Sequence, residues 1–209
     1  MSATTAETAI LVFAKAPLAG YAKTRLIPLL GAEGAAQAQT QLLRHSLATA
    51  ASAAPRQLQL WCDPDTTHPE LQAATARFGA TLQTQLGADL GARMAHGFGM
   101  ALAEVPAAIC IGTDCPALTV AHLQQAAARL RDGCAAVLVP AEDGGYALIG
   151  LRRPVQDIFS GIEWGSDRVL AQTRERLRAR GLRWGELETL WDVDRPADWL
   201  RLLRSGLLS

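Results

Sequence analysis

The stretch that most constrains this chain is the pentapeptide Gly112-Thr113-Asp114-Cys115-Pro116, which directly follows the apolar run Ala107–Ile111. The apolar run predicts a short, fully buried strand, and Pro116 prevents that strand from continuing in a sheet ladder. Thr113 and Asp114 are therefore expected where a central strand ends. Because ligands bind at the carboxyl ends of strands in open α/β sheets, we interpret Asp114 as a ligand of a hard cation that faces a phosphate.

The composition limits the class of protein. The chain has 209 residues, 49% of them hydrophobic, which is enough to bury a sizeable core. Lys plus Arg and Asp plus Glu number 20 each, so no overall charge favours a nucleic acid or an anionic membrane as a partner. Four cysteines without C-x-x-C spacing indicate a reducing compartment. We expect a cytoplasmic protein without a signal peptide or a membrane span.

Strand-like and helix-like segments alternate along the chain. The expected strands are Ala9–Ala14, Arg56–Cys62, Thr81–Gln85, Ala107–Ile111, Ala135–Pro140 and Tyr146–Leu151. The expected helices are Ala32–Ala53, Pro69–Phe78, a stripe from Leu90 to Val105, a segment capped by Thr119 and ending at Gly133, a segment capped by Ser166 and running to Gly181, and Pro196–Leu203. This alternation predicts an α/β fold with a mostly parallel sheet and helices on both faces.

No repeat or linker divides the sequence, so we expect one domain over residues 1–209, with residues 1–8 as a disordered tail. Gly97-Phe98-Gly99 is half of a dinucleotide fingerprint, but it lies inside an amphipathic stripe and indicates helix packing instead. Four scattered histidines and the lack of G-x-S-x-G give no support for a zinc site or a hydrolase triad.

The loop after the first strand carries three cations, Lys15, Lys23 and Arg25, with Thr24 between the last two. Such loops commonly hold phosphates in doubly wound sheets, and Arg and Lys often share a polyphosphate. The alternative is an ordinary solvated loop. A P-loop is rejected, because Ala22 stands where that motif needs glycine and Pro28 would break the helix that must follow.

The segment Gln85–Met94 joins an expected strand to an expected helix. Asp89 is either the N-cap of that helix or a ligand-binding residue. Arg93, one turn into the helix, lies off the apolar stripe and could reach a ligand above the sheet. We count Gln85, Asp89, Arg93 and Thr113 with the loop cations as candidate nucleotide-binding residues.

Acidic residues also occur in two later parts of the sequence, around positions 142–143 and 192–194. Glu142-Asp143-Gly144-Gly145 is either a tight hairpin turn or a site where the backbone approaches a ligand beside a carboxylate, and both can hold together. Asp192 and Asp194 lie on the same side of an extended segment by the period of two, which suits a divalent cation. Asp194 could instead cap the last helix, whose first turn contains Pro196.

These motifs occur together, and their order along the chain is that of one protein family. The stretches concerned are Phe13–Leu26, Gln85–Met94, Ile111–Pro116, Pro140–Leu151, Trp164–Thr173 and Asp192–Asp198. Together they resemble the DUF2064 family, also called radical-SAM/selenodomain-associated transferase 1, of the nucleotide-diphospho-sugar transferase (GT-A) superfamily.

The resemblance implies a GT-A-like, Rossmann-related sandwich. It places Lys15, Lys23 and Arg25 in the phosphate loop and Asp114 at the metal position, with Asp192 or Asp194 completing the metal site. The glycosyltransferase D-x-D pattern is not kept, because position 112 is glycine.

The sequence therefore predicts a transferase that depends on Mg²⁺ or Mn²⁺ and uses a nucleotide donor and a small-molecule acceptor. We favour nucleotidyl transfer with release of pyrophosphate, in which Asp114, Lys23, Arg25 and Asp143 carry catalysis. The acceptor would meet Glu142, Asp143, Gly144, Gly145 and Trp164. The alternatives are glycosyl transfer from a nucleotide-sugar and a non-catalytic nucleotide-binding protein. The sequence leaves the oligomeric state open.

Overall fold

The computed structural model describes residues 5–64 and 66–208, and in that part of the chain one seven-stranded sheet is flanked by six α-helices. The strands are β1 (Thr8–Lys15), β2 (Gln57–Asp63), β3 (Thr81–Thr84), β4 (Ala107–Ile111), β5 (Ala136–Pro140), β6 (Tyr146–Leu151) and β7 (Trp184–Glu186). The helices are α1 (Ile27–Ser52), α2 (Pro69–Phe78), α3 (Leu90–Leu102), α4 (Val120–Arg131), α5 (Val169–Ala179) and α6 (Pro196–Ser205). Short 3₁₀ turns cover Thr24–Leu26 and Gln156–Phe159.

The strand order across the sheet is β3-β2-β1-β4-β6-β5-β7. Neighbouring strands are parallel except at β6, which is antiparallel to both β4 and β5. From β1 the chain first builds outward to β2 and β3 and then crosses back, through α3, to place β4 on the other side of β1. The strand order thus reverses between β1 and β4, and such a switch point leaves a crevice at the carboxyl ends of the two strands.

Apolar residues pack on both faces of the sheet, as the alternating pattern predicts. One face is covered by α1, α2 and α4, with Leu43, Leu71 and Leu123 in its core. The other face is covered by α3 and α5, with Phe98 and Leu177 in its core. A third cluster joins α6 to the outer side of α1. The central strands β1 and β4 are buried on both faces, which explains why they read as continuous apolar runs.

Most expected elements are present, with several corrections at their ends. The first helix starts at Ile27, earlier than expected, and is interrupted at Gly31, whose backbone (φ 72°, ψ 170°) is not helical. Ser166 is not an N-cap: α5 begins at Val169, and the Ser166 hydroxyl accepts a hydrogen bond from the Arg168 N–H at 3.2 Å. The short strand β7 was not expected, because three residues with no apolar alternation carry no strand signal.

The expected tail over residues 1–8 lies partly outside the described residues, which begin at residue 5. Thr5 is buried and donates a hydrogen bond to the Ala53 carbonyl, and Thr8 opens β1. The expectation is therefore wrong for residues 5–8. In the described part of the chain, none of the helices has the length and apolarity needed to cross a membrane.

Candidate functional site

Two adjoining cavities open at the carboxyl ends of the central strands, where the strand order reverses. The front cavity, of about 540 Å³, lies over the ends of β1, β2 and β4 and beneath the loop 16–25. The rear cavity, of about 660 Å³, extends from the end of β4 along β6. Residues that line both cavities are Phe13, Lys15, Arg25, Leu90, Gly112, Asp114 and Asp194. Asp114 therefore stands at the boundary between the two, where the sequence predicts a cation ligand.

Lys23 and Asp114 form an ion pair at this boundary. Lys23 Nζ lies 2.7 Å from Asp114 Oδ1, and the lysine side chain is only 5% exposed whereas the aspartate is 53% exposed. Lys23 Nζ also donates to the carbonyl of Val193 at 2.6 Å. The lysine is thus committed to groups of the protein, while the aspartate keeps an open side towards the cavities.

The segment Asp192–Asp194 is fastened to the end of β4 by main-chain contacts. The N–H of Val193 donates to the Asp114 carbonyl at 2.7 Å, and the Val193 side chain is buried against α1 and α6. Because side chains alternate along an extended segment, burial of Val193 turns Asp192 and Asp194 the other way, and both line the rear cavity. Arg25 donates a hydrogen bond to the Asp194 carboxylate.

A buried glutamine of α1 supports Asp114 from behind. Gln39 is 3% exposed, and its Nε2 donates to the Lys15 carbonyl at 3.1 Å and to Thr113 Oγ1 at 3.2 Å. Thr113 Oγ1 in turn donates to Asp114 Oδ1 at 3.1 Å. One amide group therefore ties the end of β1 to the end of β4 and orients the carboxylate through the threonine hydroxyl. Nearby on α1, His45 Nε2 contacts the Pro116 carbonyl at 3.0 Å.

A second polar network closes the far side of the front cavity. Tyr21 donates its hydroxyl to Asp63 Oδ2 at 2.5 Å, and Arg93 Nη1 lies 3.1 Å from Asp63 Oδ1. Lys15 Nζ lies 5.5 Å from the centre of the Tyr21 ring, within cation–π range. The hydrogen bond to Asp63 raises the pKa of the Tyr21 hydroxyl above its ordinary value of 10.0. The network holds Tyr21, and with it the loop 16–25, against the end of β2.

Gln85 has a fixed orientation in the same cavity. Its Nε2 donates to the carbonyls of Ala14 (3.2 Å) and Trp61 (3.0 Å), which belong to neighbouring strands. Both amide hydrogens are therefore used, and the side-chain oxygen is left as an acceptor for a ligand that carries an N–H or O–H donor.

The wall of the rear cavity is built from two segments that touch through a glycine. The β5–β6 hairpin turns at Asp143, whose Oδ1 accepts from the Gly145 N–H at 2.8 Å. Gly144 (φ 88°) packs so closely on the 162–169 loop that a Cβ atom there would lie 2.2 Å from the Asp167 carbonyl oxygen. The N–H of Leu170 donates to the Gly144 carbonyl at 2.9 Å. The hairpin reading of this sequence is thus confirmed, and it places Asp143 and Asp167 on one wall.

Trp164 and Tyr146 form the aromatic part of that cavity. Trp164 lies over the first turn of α3, where a Cβ atom at Gly91 would be 2.8 Å from Trp164 Nε1. Trp164 Nε1 and Tyr146 Oη are buried and have no hydrogen-bond partner in the described part of the chain. The hydroxyl of the neighbouring Thr173 donates to the Val169 carbonyl at 2.8 Å instead. Burial raises the pKa of Tyr146.

Carboxylates accumulate around the boundary between the cavities. Burial, and then the negative charges of Asp143, Asp114 and Asp194, raise the pKa of Asp192 from 3.8 to about 6. Among the described residues, no three His, Cys, Asp or Glu side chains are close enough to form a ready-made metal cluster. The donor set nevertheless fits a hard divalent cation, because carboxylate oxygens are its preferred ligands and a cation would offset their mutual repulsion.

The structure brings together most of the residues that the sequence singles out. The front cavity is lined by Lys15, Lys23, Thr24, Arg25, Gln85, Arg93, Thr113, Asp114 and Asp194. The rear cavity adds Asp143, Gly145, Trp164 and Asp192. Three candidates lie outside both linings. Asp89 caps α3, accepting from the Ala92 N–H at 2.7 Å, Glu142 pairs with Arg201 of α6 at 2.8 Å, and Gly144 contacts the Asp167 backbone.

Four lining or supporting residues were missed: Tyr21, Gln39, Asp63 and Asp167. Asp63 ends β2 as Asp114 follows β4, so the argument from strand ends could have found it. Gln39 lies in an alanine-rich helix where no sequence pattern marks a polar residue as buried.

Comparison with solved structures defines the class of fold. A crystal structure of a candidate nucleotide-diphospho-sugar transferase from Desulfovibrio desulfuricans G20 is 30% identical, with a TM-score of 0.87 over 96% of this chain and 88% of that one. CMP:2-keto-3-deoxy-manno-octonic acid synthetase complexed with CTP is 14% identical, with a TM-score of 0.62 over 95% and 98% of the two chains.

Glucosyl-3-phosphoglycerate synthase from Mycobacterium tuberculosis, in complex with Mn²⁺, uridine-diphosphate and glucosyl-3-phosphoglycerate, is 10% identical, with a TM-score of 0.56 over 96% and 77%. The fold is thus that of the nucleotide-diphospho-sugar transferases, the GT-A superfamily, as the sequence predicts.

Within that class the family is also defined. The family described as "Uncharacterized protein conserved in bacteria (DUF2064)" matches residues 35–166, which is more than half of the chain. The protein belongs to the DUF2064 family. A search of curated proteins gave no match.

Proposed function

We propose that this protein is a divalent-metal-dependent transferase with a nucleotide donor, and that it transfers a nucleotidyl group and releases pyrophosphate. The observation that carries the proposal is the front cavity, whose lining brings Lys15, Lys23 and Arg25 together with the half-exposed Asp114 at the switch point. A cavity lined by several cations beside carboxylates that can hold a metal suits a triphosphate with its metal. The relatives that bind CTP, or UDP with Mn²⁺, share the fold and support the same class of donor.

Each group then has a distinct role. Asp114, with Asp192 or Asp194, would hold Mg²⁺ or Mn²⁺, which supplies positive charge to the phosphate oxygens when bound. Lys23 and Arg25 neutralise the β- and γ-phosphates, which requires both to exchange their carboxylate partners for phosphate oxygens. Lys15, Thr24, Gln85, Arg93 and Thr113 line the space for the rest of the donor.

The acceptor occupies the rear cavity beside Asp143 and Trp164, with Gly145 close by and Glu142 and Gly144 shaping the hairpin. Asp143 orients the acceptor hydroxyl and takes its proton. The acceptor oxygen forms a bond to the α-phosphorus as the bond to the pyrophosphate oxygen breaks, so catalysis is mainly positioning and charge neutralisation.

The second candidate is glycosyl transfer from a nucleotide-sugar. It is favoured by the 30% identity to a candidate nucleotide-diphospho-sugar transferase. The same residues would bind the diphosphate, but the acceptor would attack the sugar carbon and a nucleoside diphosphate would leave.

The test is to identify the released group after incubation with nucleoside triphosphates or nucleotide-sugars, Mn²⁺ and an acceptor mixture. Pyrophosphate supports nucleotidyl transfer, and nucleoside diphosphate supports glycosyl transfer. Nucleotide binding that ignores the cation, without any product, would instead identify a non-catalytic nucleotide-binding protein.

A further inference from the structure

The rear cavity has a negative charge balance. Apart from the residues it shares with the front cavity, its charged lining consists of the carboxylates of Asp143, Asp167 and Asp192 and the guanidinium of Arg195. Within the described part of the chain, none of these three carboxylates forms an ion pair. In the front cavity, by contrast, Asp63 and Asp114 are paired with Arg93 and Lys23.

The acidic wall is held in place by main-chain contacts. Asp143 is fixed by the Gly145 N–H at 2.8 Å, which leaves its other oxygen free to face the cavity. Asp167 is fixed because its backbone packs against Gly144, where any side chain would collide with it. The hydrogen bond from the Leu170 N–H to the Gly144 carbonyl locks the hairpin to the start of α5. The main chain therefore keeps Asp143 and Asp167 on the same wall of the cavity.

The floor of the cavity is apolar. It is lined by Met94, Cys110 and Ile149 from the strands and α3, and by the aromatic side chains of Tyr146 and Trp164. A bound compound gains free energy by covering this floor with apolar surface. A phosphate group placed beside Asp143 and Asp167 would lose free energy, because like charges that lie close together repel each other.

We propose that the acceptor is an uncharged or cationic alcohol with an apolar portion, and not a phosphate ester. This inference rests on the proposed function and narrows its acceptor. The hydroxyl oxygen forms the new bond to the α-phosphorus of a nucleoside triphosphate, its proton passes to the Asp143 carboxylate, and the electron pair of the broken P–O bond leaves with pyrophosphate. A cationic group on the acceptor is stabilised by Asp167.

The test uses a panel of matched acceptor pairs, each an alcohol or amino alcohol and its phosphate monoester, with nucleoside triphosphates and Mn²⁺. Products are detected by mass spectrometry, and kcat/KM is compared within each pair. We expect the unphosphorylated member to be preferred by at least about ten-fold. A preference for the phosphate esters would overturn the inference while leaving the proposed transferase intact. No product with either member, together with metal-independent nucleotide binding, would reject the proposed function itself.

Two variants sharpen the comparison. Asp167→Asn removes one unpaired carboxylate from the wall and should raise the relative kcat/KM for phosphate esters about five-fold. The matched control is Glu175→Gln, which removes the same charge from the exposed surface of α5 and should leave the ratio unchanged. An unchanged ratio in Asp167→Asn, or an equal change in both variants, would contradict the charge argument.

Discussion

Lys23 and Asp114 neutralise each other's charge in an ion pair, and the proposed reaction requires that this pair separates. A cation bound to Asp114 is repelled by an ammonium group that lies 2.7 Å from the same carboxylate. Lys23 must therefore turn from Asp114 towards the phosphates when donor and metal bind together. The ion pair keeps a nearly buried lysine charge compensated until that exchange takes place.

This exchange predicts opposite effects of removing the lysine. Lys23→Met should bind Mn²⁺ about five-fold more tightly without nucleotide, because Asp114 loses its competing cation. The same variant should bind the triphosphate about ten-fold more weakly, because one charge-assisted contact is lost. Manganese electron paramagnetic resonance and nucleotide titration measure the two constants separately. Weaker Mn²⁺ binding in Lys23→Met would show that the lysine does not compete with the metal.

Asp114 itself should be essential for turnover. Asp114→Asn keeps an acceptor for Lys23 and Thr113 but loses the negative charge, so the fold should be retained. We expect turnover to fall by about 100- to 1,000-fold, the range found when one preorganised electrostatic contact is removed. Circular dichroism and thermal unfolding provide the control for folding. Turnover close to that of the unaltered protein would remove Asp114 from the mechanism.

At the scale of single residues, the strand ends seen in the sequence predicted many residues of the candidate site. The sequence did not predict the hydrogen-bond partners of those residues. Asp114, Asp192 and Arg25 could be placed because each follows from a strand end, a period of two or a loop position. The pairing of Arg25 with Asp194 joins positions 169 apart in the sequence, which no local pattern encodes. Asp89 shows the converse, because its local role as a helix cap is confirmed.

At the scale of elements, α1 supports the end of the sheet that carries the candidate site. Gln39→Leu would leave the Lys15 carbonyl and Thr113 hydroxyl without their donor, which should cost about 1–3 kcal/mol of stability. It should also weaken Mn²⁺ binding, because Asp114 loses the orientation that Thr113 gives it. Gln41→Leu, on the exposed side of the same helix, is the control for both measurements. Lower stability with unchanged Mn²⁺ affinity would limit Gln39 to a structural role.

The contact between the β5–β6 hairpin and the 162–169 loop allows a second test with a matched control. Gly144→Ala and Gly165→Ala both force an alanine into a left-handed conformation, at φ 88° and 82°, which costs about 1–2 kcal/mol. Only at Gly144 would the added Cβ also meet a backbone, 2.2 Å from the Asp167 oxygen.

We therefore expect Gly144→Ala to lower the free energy of unfolding by about 3–5 kcal/mol, clearly more than Gly165→Ala. Chemical denaturation measures both values. Equal losses would mean that the hairpin and the loop can separate without cost, and that Asp143 and Asp167 are not held together.

Helices and strands with clear apolar spacing and marked ends were predictable from the sequence, and elements without these signals were not. The bounds of α2 and β4 agree with expectation, because apolar spacing and a glycine or proline mark both ends. The expected start of the first helix at Ala32 falls directly after the break at Gly31, and the turn that precedes the break, with Pro28 in a position where proline is tolerated, was not expected. Strand β7 joins the sheet through β5 alone, a long-range contact that three residues cannot signal.

At the scale of the whole molecule, the order of strands concentrates the chemistry. The reversal between β1 and β4 puts the loop 16–25, the end of β4 and the segment Asp192–Asp194 into one crevice. The alternation of elements predicted the parallel sheet, but it could not predict the strand order or the antiparallel β6, which depend on packing across the sheet. The sequence therefore indicated most residues of the candidate site, and the topology explains why they meet.

The same geometry predicts that metal and nucleotide stabilise the protein cooperatively. Each ligand alone must compete with the Lys23–Asp114 and Arg25–Asp194 ion pairs, whereas together they exchange both pairs for metal and phosphate contacts. With Mn²⁺ and the correct nucleotide at about 100 times the dissociation constant, stability should rise by ~2.7 kcal/mol, or about 5–10 °C in Tm for a chain of this size. Thermal unfolding with Mn²⁺, with nucleotide and with both measures the effect, and the combined shift should exceed the sum of the separate ones. In Asp114→Asn, the part of the combined Tm shift that exceeds the sum of the separate shifts should disappear. Strictly additive shifts in the unaltered protein would show that the two ligands bind independently.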